Sequence, residues 1–105
     1  IYYMLFFFYN YIGEVSMEVF ADMHIHIGRS ENGKPIKITA SKELKFENIM
    51  KEASLNKGLH LIGIIDCASP YVIEDIVNLI DKKEIYEQKE GGLIYNNKIC
   101  IILRS

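Results

Sequence analysis

Across residues 18–26 the chain alternates, with Val19, Ala21, Met23 and Ile25 set against Phe20, Asp22, His24 and His26. A period of two is the pattern of a β-strand, and it places both histidines on one face. Residues 28–41 then carry Gly28, Gly33, Pro35 and several charges, which predicts a long loop with a short extended piece at 36–39. Phe46, Ile49, Met50 and Ala53 recur at helical spacing. They predict an amphipathic helix over 45–57, closed by Gly58 in the left-handed position that favours glycine. Residues 59–65 form an almost unbroken apolar run between Gly58 and Asp66, the signature of a strand covered on both faces in a parallel sheet. Ser69 and Pro70 suit a helix start. Val72, Ile73, Ile76, Val77 and Ile80 give that helix its apolar face as far as about Lys82. A short strand at 84–88, a Gly91-Gly92 turn and a two-residue Asn96-Asn97 hairpin between 93–95 and 98–103 complete the pattern.

Strand, helix, strand, helix, strand is the order of an α/β layer or barrel, in which functional groups gather at the carboxyl ends of the strands. His24, His26 and Asp66 lie at such ends. Two histidines at i and i+2 of a strand point the same way, so their imidazoles can converge on one ion, and an adjacent strand end can add a carboxylate. A pair of half-buried strand histidines with no ligand role is the plainer alternative. Asp22, two residues before His24, is placed to orient a ligand through a hydrogen bond. His60 opens the second strand at the end away from these groups, which favours a structural role. Cys67 reads as a buried thiol rather than a soft ligand.

Composition narrows the picture. With 105 residues, half of them hydrophobic, there is material for one modest core. Twelve Lys and Arg against fourteen Asp and Glu leave a net charge of −2, so no global positive field draws the chain to nucleic acid. Arg29, Lys34, Lys37, Lys42 and Lys45 nevertheless cluster around one loop, diluted by Glu31 and Glu43, and the first three are candidate phosphate or DNA contacts. Two separated cysteines, Cys67 and Cys100, suit reduced thiols in a cytoplasmic protein. Residues 1–12 are almost wholly aromatic and aliphatic, yet too few to span a membrane, with neither the basic region nor the cleavage site of a signal peptide. Residues 1–16 are therefore expected to lie outside the native domain, with Met17 as its start and 17–105 as the folded part. An apolar strand or interfacial anchor is the alternative.

The string from Phe20 to Arg29, with Asp22-Met23-His24-Ile25-His26 inside it, resembles the opening motif of PHP-superfamily phosphoesterases. The segment from Gly58 to Cys67 resembles their second motif, a strand ending in a metal-binding Asp. Gly33 to Thr39, Asn48-Ile49 and Ile65 to Pro70 are similar to the endonuclease Q-like group of that superfamily. The resemblance covers about residues 17–105. It implies a partial, truncated distorted β/α barrel of PHP type, with parallel strand-helix-strand units and a terminal hairpin. It further implies divalent ions (zinc, manganese, magnesium or iron) held by His24, His26 and Asp66, and a DNA-repair endonuclease that cleaves at deaminated or abasic sites by metal-activated water. Cys67, Ala68 and Ser69 stand where many PHP proteins place another histidine. The remaining ligands of the family would come from later sequence, so the chain is expected to be an amino-terminal fragment with DNA as partner of the complete protein. Two alternatives remain: a PHP-type phosphatase for a small phosphate ester, and an inactive truncated product.

Overall fold

The computed structural model describes residues 2–10, 13–55, 57–89 and 91–105, with side chains described from residue 20 onward. Strands β1 (Tyr2–Asn10) and β2 (Gly13–Ile25) pair antiparallel, and His26 lies just past the end of β2. Then come α1 (Phe46–Leu55), β3 (Leu61–Ile64), α2 (Pro70–Asp81), β4 (Ile85–Glu87), β5 (Leu93–Tyr95) and β6 (Ile99–Leu103). Gly58 takes φ +61° after α1, as a left-handed helix stop requires. Ser69 precedes α2 in an extended conformation, with Pro70 in the first turn, but its side chain makes no capping bond.

The described strands form one open sheet in the order β1-β2-β3-β6-β5-β4. Only the β2–β3 and β3–β6 pairs are parallel. This overturns the expected β/α barrel. A barrel closes when successive parallel strands, each returned by a helix, leave no edge. Here the last three strands are joined by turns too short for a parallel return. Asn96 and Asn97, at φ 55° and 54°, make a two-residue hairpin that sets β5 antiparallel to β6. The Gly91-Gly92 turn sets β4 antiparallel to β5. The result is a mixed sheet with β1 and β4 as its edges.

Both helices share one core with the sheet. Phe46, Ile49, Met50 and Ala53 of α1 are buried as their spacing predicts, against Ile62 and Ile64 of β3 and Ile99 and Ile101 of β6. In α2 the inward face is Val72, Ile76 and Leu79, while Ile73 and Val77, expected inside, are exposed. That rotation also carries Asp75 inward, where it is 5% exposed.

Asp75 fixes the long loop to α2. Its Oδ2 accepts the Glu31 N–H at 2.9 Å, and the Glu31 carboxylate accepts the Glu47 N–H at the start of α1 at 3.3 Å. Burial pushes the Asp75 carboxyl above its ordinary value, opposed by the Glu31 N–H and aided by the neighbouring Glu74 charge. A carboxyl whose folded pKa lies above its unfolded value contributes stability that is fully present below the unfolded value, about 3.9, and lost as pH rises through the folded one. Asp75→Asn keeps an acceptor and removes the buried charge. We expect it to raise the urea midpoint at pH 7 and to flatten its decline above about pH 4. Asp75→Ala should cost about 1–3 kcal/mol, because the Glu31 N–H is left without its partner.

Candidate functional site

The site forms where β2 and β3 end side by side. Pairing runs Ala21 with Leu61 and Asp22 with Ile62, then jumps to Ile25 with Ile64. Three steps along β2 match two along β3, so Met23 and His24 occupy a bulge. Bulges often re-aim side chains beside functional groups. Two features secure this one. Gly63 lies under it, and a Cβ there would stand 2.6 Å from the Met23 carbonyl oxygen. The same oxygen accepts from Arg104 Nη1 at 3.0 Å, which ties the bulge to the residue after β6. Asp22 Oδ1 accepts the His24 N–H at 3.2 Å, so Asp22 holds the backbone of the bulge rather than a ring nitrogen.

Past the bulge the two imidazoles meet edge to face, with centroids 4.8 Å apart, and their Nε2 atoms are 3.1 Å apart. Asp66 approaches from the opposite side of the second ring, its Oδ2 lying 2.9 Å from His26 Nδ1. The same oxygen accepts the Ile27 N–H at 3.3 Å. Asp66 curls back in this way because its backbone is left-handed, with φ 68°, a conformation that Asp tolerates better than most residues. A carboxylate only accepts, so this contact calls for a proton on His26 Nδ1, and in the neutral ring Nε2 then faces His24 as an acceptor. Carboxylate–imidazole pairs commonly orient metal-binding histidines in this way.

Two imidazole nitrogens bound to one tetrahedral zinc at about 2.0–2.1 Å stand about 3.3 Å apart, close to the separation seen here. His24 and His26 therefore fit as a pair of nitrogen ligands. Asp66 does not face the same point. Among the described residues no group of three or more His, Cys, Asp or Glu surrounds a common centre, and Asp66 stands behind His26 as its hydrogen-bond acceptor.

A cavity of about 330 Å³ opens over the pair and is lined also by Asp22, Ile25, Lys37 and Thr39. It adjoins a larger one of about 370 Å³ between β2 and α1, floored by Ile25, Leu44, Ile49 and Leu59. Of the basic residues singled out in the loop, Lys37 reaches the histidine cavity, whereas Arg29 and Lys34 do not line it. His60 lies at the other end of β3, where its Nδ1 accepts the Phe20 N–H at 3.1 Å. Cys67 is buried, its thiol donating to the Ile64 carbonyl at 3.2 Å. Burial pushes that thiol above its ordinary value, against a backbone hydrogen bond with Arg104 and with some help from the Asp66 charge. Cys67 and Cys100 are both free. Gly63 and Arg104 had no signal of their own in the sequence, since their roles follow from a bulge that alternation does not reveal.

No helix among the described residues is long and apolar enough to cross a membrane. No family model matches the chain, and no solved structure matches it. Over 85 residues, 81% of its length, the chain is 41% identical to the Uncharacterized protein YqxK of Bacillus subtilis (strain 168), and it spans 22% of the length of that curated relative.

Proposed function

We propose that this stretch carries part of the divalent-metal site of a PHP-superfamily phosphoesterase, nearest in its motifs to the endonuclease Q-like group, and that the complete protein cleaves DNA at deaminated or abasic sites. The observation that supports the reading best is the convergence of His24 and His26 Nε2 at 3.1 Å, with His26 Nδ1 held by Asp66. His24 and His26 would hold an ion through Nε2. Asp66 would keep the second ring in the required tautomer, and Asp22 would fix the backbone between them. Bound divalent ions neutralise phosphodiester oxygens and lower the pKa of water, which supplies a nucleophile without a side-chain attack. Lys37, in the same cavity, adds a positive charge for the phosphate.

Phosphoryl hydrolysis by paired ions needs them about 3.5–4 Å apart, more than two imidazoles and an outward-facing carboxylate can arrange. The 105-residue chain by itself is therefore expected to bind divalent ions weakly and to leave DNA uncut. A polypeptide that carries this stretch at the length of its relative should nick uracil- or hypoxanthine-containing duplexes in manganese or magnesium, and His26→Ala should abolish the nicking. Robust nicking by the short chain, or nicking that survives His26→Ala, would contradict the placement. Hydrolysis of a small phosphate ester is the second reading. It is favoured by the apolar cavity of about 370 Å³ beside the histidines, which suits a small organic body, and the same protein assayed on small esters separates the two.

A further inference from the structure

The long loop between β2 and α1 is tied down at many points. Gly28 N–H donates to the Leu44 carbonyl at 2.8 Å, Ile36 N–H to Gly28 at 2.9 Å and Lys37 N–H to Ile27 at 3.0 Å. Arg29 bridges to Pro35 across the loop, and its Nη1 donates to the Gly33 carbonyl at 2.8 Å. A Cβ on Gly28 would overlap the Ser41 carbonyl oxygen, so the two arms of the loop pack backbone to backbone. Side chains on this frame have fixed origins.

That frame separates the charges. Arg29, Lys37 and Lys42 line a cavity of about 540 Å³ whose other lining residues are uncharged. The carboxylates that dilute these charges in the sequence turn elsewhere: Glu31 accepts the Glu47 N–H, and Glu43 lines the apolar cavity beside α1 with Asp22 and Glu52. The cationic cavity neighbours the histidine site, and Lys37 and Ala40 line both. Lys34 stands outside it.

We infer that Arg29, Lys37 and Lys42 form an anion subsite that holds a phosphate of a nucleic-acid strand next to the phosphate presented at His24 and His26. The identity of that neighbouring phosphate rests on the phosphodiesterase reading, whereas the subsite itself needs no metal. Arg29, already anchored to Gly33, offers its remaining guanidinium donors in a fixed direction, and the two lysines add mobile charge around the rim.

The test is the binding of a short fluorescein-labelled oligodeoxythymidylate to the 105-residue chain at low salt with EDTA present, followed by anisotropy. Lys37→Glu combined with Lys42→Glu should weaken binding by about tenfold or more and lower the slope of log K against log salt by about 1.4, the value for two lost contacts on a single strand. Both side chains are exposed, so the fold should survive, and circular dichroism checks that. Lys34→Glu, an equal change of charge per residue on the same loop, should move binding less than about twofold. A Lys34→Glu effect as large as that of Lys37→Glu alone would mean diffuse surface charge and overturn the subsite, as would no binding by the unaltered chain. Binding that follows the expected pattern, in a longer protein that does not cleave, would sink the phosphodiesterase reading and leave the subsite standing.

Discussion

Gly63→Ala is expected to destabilise the chain by about 3 kcal/mol or more, at or beyond the upper end of what overpacking costs in a well-packed interior. Gly63 sits in β3, the strand that joins β2 to β6. An added Cβ there would lie 2.6 Å from the Met23 oxygen, 2.9 Å from its carbonyl carbon and 3.0 Å from its Cα. All three are backbone atoms, so no side chain can rotate away, and relief requires the bulge to lift off β3. Lifting it would break the Arg104 bond to Met23 and separate the two strand ends that carry the site. Urea unfolding should show the loss as a lower midpoint with the slope largely kept. Gly28→Ala also meets backbone, at Ser41, and should part the two arms of the loop, which would show as altered signals for the loop and for His24 and His26. A Gly63→Ala variant as stable as the parent would mean that the bulge does not lie where it is described.

Removal of either imidazole should have the other large effect. With Nε2 atoms 3.1 Å apart, each histidine supplies half of a two-nitrogen site, and a single imidazole is a poor ligand for a first-row ion. His24→Ala and His26→Ala should each weaken zinc or nickel binding by more than about 100-fold, beyond the 10–100-fold range of changes to outer hydrogen-bond partners. Asp66→Asn should fall inside that range, because the amide can still approach His26 Nδ1 but no longer holds it by charge. Isothermal titration of the four chains gives the order directly. Equal losses for Asp66→Asn and His26→Ala would instead make Asp66 a ligand in its own right, after rotation toward the ion.

The parts of the structure legible beforehand are those governed by a period or a turn rule. The α1 face of Phe46, Ile49, Met50 and Ala53, the buried β3 run and the Asn96-Asn97 hairpin all follow from local chemistry. The same hairpin carried the information that undoes the barrel, since a two-residue turn commits β5 and β6 to antiparallel pairing. In α2 the apolar residues spread over a wide arc, from Val72 and Ile73 to Ile80, and pattern alone does not choose which side meets the sheet. Packing selected the side with Leu79 and buried Asp75 with it. At the site, alternation along β2 brought His24 and His26 to the right end of the strand, but it gave no sign of the bulge, of Gly63 beneath it or of Arg104 across from it. Loop positions have no period to rank them: the sequence reading favours Lys34 over Lys42 as a phosphate contact, whereas the fold places Lys42 in the cationic cavity and Lys34 outside it.

His24 and His26 offer their Nε2 atoms to one point while Asp66 holds the far side of His26. Long-range proton–nitrogen spectra of the imidazoles in the 105-residue chain, before and during addition of zinc, test this arrangement most directly. Without metal, His26 should carry its proton on Nδ1 and His24 on Nε2, where it donates to its neighbour. Zinc should then shift the Nε2 signals of both rings together and move the His24 proton to Nδ1, while His60, tied to the Phe20 N–H, stays unchanged. A His26 ring protonated on Nε2, or zinc shifts at His60 as large as those at His24 and His26, would contradict the account.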